Sequence, residues 1–195
     1  MTAAEALRSG RPVVLPFDTV YGLAAEPHHE ESTRRLYELK GRPPTHPTAL
    51  VAADVAALVA LLPELDERVA ELLPSQLTLV VPNPAQRFPW LTGTSPQTLG
   101  VRVPLLPEAT RRAVEHVGAV VATSANVPGG LDPRRLEDVP ERIRSGAAAV
   151  VDGGELPGTP STVVDLTQGE PRILRSGAVP EDEVLRRLGA AVRSS

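Results

Sequence analysis

Residues 12–23, Pro-Val-Val-Leu-Pro-Phe-Asp-Thr-Val-Tyr-Gly-Leu, indicate the fold because they join a β-rich run to a polar loop. The run Pro12–Leu15 predicts a strand. A carboxylate, two hydroxyls and a glycine follow within residues 16–23, and open α/β sheets tend to carry functional groups in loops that follow strands. The alternative interpretation is a simple β-turn in which Asp18 bonds its own backbone.

The rest of the chain predicts an α/β or α+β protein. Apolar residues recur at helical spacing in some segments and form short β-rich runs in others. Because helices and strands do not alternate strictly, we expect a sheet that is not purely parallel. No long linker interrupts residues 1–195, so we expect a single domain. The predicted helices lie at 31–39, 54–62, 64–73, 107–117, 134–144 and 181–192, and the predicted strands at 12–15, 49–52, 77–81, 99–103, 119–122, 147–151, 161–165 and 172–174.

The composition is that of an ordinary globular protein. Hydrophobic residues make up 42% of the chain and charged residues 23%, and no run of about 18 apolar residues offers a membrane span. Residues 1–11 lack the features of a secretory signal, so we expect a soluble, cytoplasmic protein. The absence of cysteine excludes disulfides, thiolate zinc sites and a thiol nucleophile. A net charge of −4 argues against nonspecific coating of nucleic acid but allows a local basic pocket.

Lys40 is the only lysine among 20 basic residues. An ammonium is a compact point charge, whereas a guanidinium is a planar fork. Lys40 is therefore present either because arginine cannot replace its chemistry or by chance. Arg42 follows closely, and a cation about 4 Å from a phosphate oxygen gains about 4 kcal/mol at an effective dielectric of about 20. The pair therefore suits a triphosphate. The alternative is a helix C-terminus, where Lys40 complements the dipole and Gly41 ends the helix.

Other segments place polar or basic groups at strand ends. Arg102 lies within the strand pattern of Thr98–Pro104, which is costly unless the guanidinium meets a bound anion or an internal Asp or Glu. Val121–Asn126 ends a hydrophobic strand in small polar residues, which favours an anion-binding nest or a simple strand-end turn. Pro160–Asp165 and Ile173–Gly177 add two hydroxyls and another arginine. Each segment is weak evidence alone, but their order is specific.

In this order the segments resemble the motifs of the YrdC-like threonylcarbamoyl-adenylate synthases. The resemblance extends from about residue 3 to residue 179. Family members show Pro-Thr-Asp/Glu-Thr-Val-Tyr-Gly-Leu, Lys-x-Arg-Pro, Pro-Gly-Pro-x-Thr, Val-Arg-x-Pro, Ser-Ala-Asn, Ser-Thr-Val/Ile and Arg-x-Gly. The counterparts here are 16–23, 40–43, 74–78, 101–104, 124–126, 161–163 and 175–177.

The resemblance implies both a fold and a reaction. The fold would be a YrdC-like α/β (α+β) domain, a twisted mixed sheet flanked by helices with a large open basic cavity. The reaction would convert L-threonine, bicarbonate and ATP into L-threonylcarbamoyl-adenylate and pyrophosphate. Mg²⁺ would accompany ATP without a dedicated metal site in the protein. A downstream tRNA threonylcarbamoyl transferase would use the product, and binding of tRNA or double-stranded RNA is a further expectation.

The resemblance also implies roles for individual residues. The carbamate of threonine would attack the α-phosphate of ATP, so cations must bring like charges together. Lys40 and Arg42 would be the catalytic cations. Threonine would be bound by Thr19, Arg102, Ala122 and Ser161. ATP would be bound by Lys40, Arg42, His46, Thr98, Ser124, Asn126 and Arg175.

Some positions depart from the family's pattern and motivate other hypotheses. One is a catalytically altered paralogue of the same fold that binds nucleotide or RNA without making the adenylate. Another is a serine hydrolase using Ser124 or Ser161, although the Gly-x-Ser-x-Gly elbow is missing. The departures are Phe17, His46, Thr48, Val51, Ser75, Gln76, Pro128 and Ser176.

The segment 82–98 is the longest region without regular periodicity and predicts a surface loop or lid. It contains Phe88, one of the chain's two phenylalanines, and Trp90, its only tryptophan. Such rings can stack on a base, but ordinary packing is the favoured interpretation.

Overall fold

The computed structural model describes residues 1–193, with side chains described for residues 1–189. Within that range, nine strands form one sheet in the order β7-β1-β2-β6-β3-β5-β4-β8-β9. The strands are β1 (Val13–Pro16), β2 (Tyr21–Ala25), β3 (Ala49–Ala52), β4 (Leu77–Pro82), β5 (Thr98–Arg102), β6 (Ala119–Ser124), β7 (Ala149–Val150), β8 (Thr162–Asp165) and β9 (Arg172–Arg175). The helices are α1 (Ala3–Arg8), α2 (Glu30–Lys40), α3 (Val55–Leu61), α4 (Glu67–Ala70), α5 (Glu108–Glu115), α6 (Glu141–Gly146) and α7 (Glu181–Arg193).

The sheet is mixed, as the sequence predicts. β1 and β2 form an antiparallel pair, as do β2 and β6. In contrast, β3 runs parallel to β5, and β4 runs parallel to β8. The predicted mixed sheet flanked by helices is therefore confirmed.

The two faces of the sheet are covered differently. One face carries the larger apolar core, in which Leu36 of α2 and Ile143 of α6 pack with strand residues such as Leu79. The other face is covered by Leu7 of α1 and Val114 of α5, together with residues near β1, β2 and β6. Burial of apolar surface holds both layers to the sheet. The second face remains open beyond α1 and α5.

Strand β2 was missed by the sequence prediction, which placed all of residues 16–23 in a loop. All five residues of β2 are buried, so the strand lacks the alternation that marks a half-exposed strand. Its pairing with β1 and β6 supplies the backbone hydrogen bonds. Helix α1 was also missed, although a capping box between Thr2 and Glu5 marks its start.

Two predicted helices are shorter than expected. The helix predicted at 134–144 is limited to Glu141–Gly146, preceded by a single 3-10 turn at Leu136–Asp138. Pro140 stands just before α6, and a proline disfavours helical backbone in the residue ahead of it. The helix predicted at 64–73 is reduced to Glu67–Ala70, which begins at the Asp66 cap.

Candidate functional site

The open face of the sheet forms a cleft of about 560 Å³. Small residues make its floor, because Ala122 of β6 pairs with Ala49 of β3 and Gly100 of β5 lies beside Ala49. A methyl group added at Gly100 would meet Ala49 and Thr78 at ordinary contact distances of 3.6 to 4.0 Å. Larger side chains at these positions would therefore project into the cleft and fill it.

A buried ion pair lies at one end of the cleft. Arg102, at the end of β5, donates from Nη2 to the Asp18 carboxylate and, at 3.0 Å, to Oγ1 of Thr19. The side chains of Arg102 and Asp18 are only 12% and 6% exposed. The backbone N–H of Leu105 donates to the other Asp18 oxygen at 3.2 Å. The sequence required a partner for Arg102, and the structure identifies an internal one.

This ion pair does not use all of the donors of Arg102. Its Nε is buried and has no hydrogen-bond partner within the described residues. Burial raises the pKa of Asp18 against the opposing pull of Arg102, and burial also lowers the pKa of Arg102. An unpaired guanidinium N–H at the wall of a cleft is suited to an incoming carboxylate or phosphate oxygen.

A second polar group lies on the neighbouring strands β4, β8 and β9. The hydroxyls of Ser161 and Thr78 are 2.8 Å apart, and Arg175 donates from Nη2 to the Ser161 carbonyl oxygen at 2.7 Å. Gly177 lies so close to Pro160 and Ser161 that a side chain there would overlap their backbone. Glycine therefore allows the close approach that places Arg175 beside Ser161.

Lys40 holds the turn at the end of β6. Gly41 ends α2 in a left-handed conformation, as expected from the sequence. The Lys40 ammonium donates to the carbonyl oxygens of Ser124 and Asn126 and, at 2.7 Å, to Oδ1 of Asn126. Burial and the nearby Arg42 lower the Lys40 pKa to about 8, although Asp132 opposes them.

The other cations around the cleft are held by carbonyl oxygens. Arg42 donates to the carbonyl oxygens of His46 and Pro47. Within the described residues, Arg42, Arg175 and Lys40 form no ion pair with a carboxylate. Exposed arginines elsewhere, such as Arg34, are paired with glutamate. Carbonyl oxygens orient a cation without neutralising it, so these groups suit an anionic ligand.

The structure brings most of the proposed site residues together. Those that line the cleft are Thr19, Arg42, Thr98, Arg102, Ala122, Ser124, Ser161 and Arg175. Lys40, His46 and Asn126 are not part of the lining. Lys40 and Asn126 lie directly behind Ser124, whereas the exposed His46 offers its backbone carbonyl to the Tyr37 hydroxyl at 3.2 Å.

Sequence reasoning missed three residues that shape the site. Asp18 pairs with Arg102, Gln76 donates to the Asp18 carbonyl oxygen at 3.0 Å, and Thr78 meets Ser161. For the Asp18–Arg102 pair, the sequence offered one signal: a carboxylate two residues after one strand and an arginine within another strand. Phe17 packs against Gly22 so closely that a side chain at Gly22 would overlap its ring.

Several other features bear on the kind of site this is. The cleft lining includes three arginines and two aspartates, Asp132 and Asp165, and its basic character as a whole stays a prediction. In the part of the chain that the structure describes, no three His, Cys, Asp or Glu side chains converge as metal ligands. None of the four histidines lines the cleft, so Ser124 and Ser161 have no imidazole base there. Within residues 1–193, no helix is long and apolar enough to cross a membrane.

The fold and cleft define a class: a mixed-sheet α/β protein with a polar cleft on the open face of its sheet. The family model for Sua5, YciO and YrdC, described as "Telomere recombination", matches residues 5–177. The chain belongs to this family, and the resemblance found in its motifs is confirmed.

Similar proteins carry a consistent name. A threonylcarbamoyl-AMP synthase of Pyrococcus abyssi is 34% identical over 96% of this chain and 56% of its own length. One of Bacillus subtilis is 32% identical over 93% of this chain and 54% of its own length. The solved structure of P. abyssi Sua5 complexed with L-threonine matches with a TM-score of 0.87 at 34% identity, covering 96% of this chain and 56% of that one. The chain thus spans about half the length of these relatives.

Proposed function

We propose that this chain is an L-threonylcarbamoyladenylate synthase, an ATP-dependent nucleotidyltransferase. It would make threonylcarbamoyl-AMP and pyrophosphate from L-threonine, bicarbonate and ATP. The observation that carries the proposal is one cleft with two kinds of cation. Within the described residues, Arg102 is buried and paired through Nη2 but donates no hydrogen bond from Nε or Nη1, whereas Arg42 and Arg175 are oriented by carbonyl oxygens and form no ion pair.

The amino acid would bind at the Arg102 end. Its carboxylate would accept from Arg102 Nε, which is now buried without a partner, and from the hydroxyl of Thr19. Asp18 would fix the Arg102 guanidinium in place, because Nη2 of that guanidinium already donates to the Asp18 carboxylate. Ala122 would leave room for the ligand, and Ser161 would bound the pocket on the β8 side.

The nucleotide would bind across the remainder of the cleft. Arg42 and Arg175 would face the phosphates, while the hydroxyls of Thr98 and Ser124 would donate to the nucleotide. Lys40 and Asn126 would act behind Ser124 by fixing the turn that presents it. In this arrangement Lys40 is a positioning residue that contributes charge without direct contact, and His46 contributes only its backbone.

The reaction then needs no covalent nucleophile from the protein. The threonine nitrogen adds to bicarbonate, water leaves, and a carbamate forms. A carbamate oxygen attacks the α-phosphorus of ATP, and the bond to the β-phosphate oxygen breaks to release pyrophosphate. Both reactants are anions, so the cleft accelerates the step by holding them together among fixed cations.

Mg²⁺ fits this cleft as a companion of ATP. A nucleotide-bound Mg²⁺ needs only one or two protein carboxylates because phosphates and water complete its shell. Asp132 lines the cleft beside Asn126 and is the residue that would hold it. When bound, the ion would shield phosphate charge.

We also propose the wider setting that the relatives' names suggest. The product would pass to a tRNA threonylcarbamoyl transferase in the cytoplasm. Direct binding of tRNA or double-stranded RNA stays a prediction.

The test is pyrophosphate release by the purified chain with ATP, Mg²⁺, bicarbonate and one amino acid at a time. We expect release that requires both threonine and bicarbonate, and a product with the mass of threonylcarbamoyl-AMP. ATP binding without turnover would contradict the proposal and favour the nucleotide-binding paralogue. If pyrophosphate is released only with an amino acid other than threonine, the reaction class of the proposal stands and its substrate is wrong.

A further inference from the structure

A second cavity, of about 600 Å³, lies outside the cleft beside α2. Its walls are Thr33 and Tyr37 of α2, Pro43 and Pro44 of the following segment, and Trp90. The volume lies in the range of small-molecule sites. None of the roles proposed above uses this cavity, although Arg42 touches both it and the cleft.

Flat, rigid surfaces dominate the second cavity. Trp90 and Tyr37 offer aromatic rings, and the two prolines offer ring faces. Trp90 is anchored through a hydrogen bond from its indole Nε1 to the Pro27 carbonyl oxygen at 2.9 Å. Its ring also packs edge-on against Phe88. The indole is therefore held in one orientation, and the surfaces around it suit a planar ring.

The second cavity also contains a buried hydroxyl without a partner. Thr33 is 1% exposed, and its Oγ1 makes no hydrogen bond within the described residues. Leaving a buried hydroxyl unpaired is costly, and an aliphatic ligand would keep it unpaired. The ligand must therefore bring a hydrogen-bonding atom to the floor of the cavity.

Charge at the second cavity favours a neutral ligand. Glu30 and Glu38 are matched by Arg34 and Arg42 along its lining. Arg34 is already paired with Glu31 and Glu38. An anion would meet two carboxylates and a cation would meet two guanidinium groups, so neither is favoured.

We propose that the second cavity binds a neutral nucleobase, stacked among Trp90, Tyr37 and the prolines and hydrogen-bonded to Thr33. A base supplies the flat ring and the mixed donor and acceptor edge that this lining requires. The base comes either from a free nucleoside or from a single-stranded RNA.

The test uses Trp90 as a reporter, because it is the only tryptophan in the chain. We expect adenosine to change Trp90 fluorescence saturably. Thr33→Val should weaken this binding roughly two- to tenfold, since it removes one hydrogen bond, without lowering the melting temperature of the free protein. The matched control Thr98→Val removes a hydroxyl from the cleft and should leave the Trp90 signal unchanged.

A single-stranded oligoadenylate forms the second arm of the test. Tighter binding than adenosine assigns the base to RNA, and equal binding assigns it to the free nucleoside. The proposal is overturned if adenosine shows no saturable binding, or if Thr98→Val weakens the binding and Thr33→Val does not. It is also overturned if Trp90 fluorescence responds to the planar cation methylguanidinium and not to adenosine.

Discussion

The cleft holds two groups of cations in different ways. Arg102 is buried on a strand and paired with a carboxylate, Asp18. Lys40, Arg42 and Arg175 instead donate to carbonyl oxygens. The Arg102–Asp18 pair is thus close to electrical balance before a ligand arrives, whereas Lys40, Arg42 and Arg175 form no ion pair with a carboxylate within the described residues.

In the proposed function, this difference would separate recognition of the amino acid from stabilisation of phosphate charge. A guanidinium fixed by a buried carboxylate has one orientation and can select a ligand by hydrogen-bond geometry. Cations oriented by neutral oxygens retain their full charge and can neutralise phosphates. In the proposed function, ion pairing would fix the direction of Arg102, and carbonyl contacts would leave Arg42 and Arg175 free to neutralise phosphates.

The largest expected effect comes from breaking the buried ion pair. Arg102→Leu would leave the Asp18 carboxylate buried without its cation, and we expect the free energy of unfolding to fall by about 3 to 5 kcal/mol. Activity should be lost as well. Urea denaturation of the single variant and of Asp18→Asn/Arg102→Leu provides the measurement. The double variant should regain much of the stability and stay inactive; equal stability of the two would show that the pair is not coupled.

The next effect concerns Lys40. Lys40→Met removes three hydrogen bonds behind the Ser124 turn, and charged hydrogen bonds contribute about 1.5 to 3 kcal/mol each. We expect ATP affinity, measured by calorimetry, to fall roughly 10- to 100-fold while circular dichroism stays native. Lys40→Arg keeps the charge but does not fit the three acceptors, so it should also fail. Full activity of Lys40→Arg would refute the positioning role.

A third prediction uses pH. The Lys40 pKa of about 8 lies below the usual 10.5, so between these values the folded chain holds fewer protons than the unfolded chain. The unfolding free energy of the wild type should therefore rise across this window relative to Lys40→Met, by at most about 1.4 kcal/mol per pH unit. ATP affinity should fall over the same window, because a neutral amine turns a lone pair toward one of its three oxygens. Parallel pH profiles of the two proteins would contradict this.

The smallest effects are expected at the more exposed cations. Arg42→Gln and Arg175→Gln each remove one charge near the phosphates, and we expect ATP affinity to fall by about 1 kcal/mol, or roughly fivefold, with a weaker dependence on salt. Arg112→Gln is the matched control, because Arg112 is exposed, is paired with Glu108 and lines neither cavity. A loss in the control equal to that at Arg42 would mean that overall charge, rather than the cleft, attracts ATP.

The sequence predicted the motifs better than it predicted their connections. Arg102 on a strand required a partner, but only the pairing of strands brings Asp18 to it. Strand β2 was missed because both of its faces are buried. The hydrogen bonds of Lys40 to residues 124–126 could not be predicted because they depend on tertiary contact, and the direct contact of Lys40 with phosphate stays a prediction. The prediction that Trp90 serves ordinary packing was correct in part, since Trp90 packs against the core and also lines the second cavity. The single-domain interpretation stays a prediction.

The most direct test is a crystal structure with L-threonine and a non-hydrolysable ATP analogue bound together. We expect the threonine carboxylate within hydrogen-bond distance of Arg102 Nε, and the phosphates between Arg42, Ser124 and Arg175, with the amino group facing the α-phosphate. Ligands bound on opposite sides of the sheet, or a carboxylate remote from Arg102, would contradict the account.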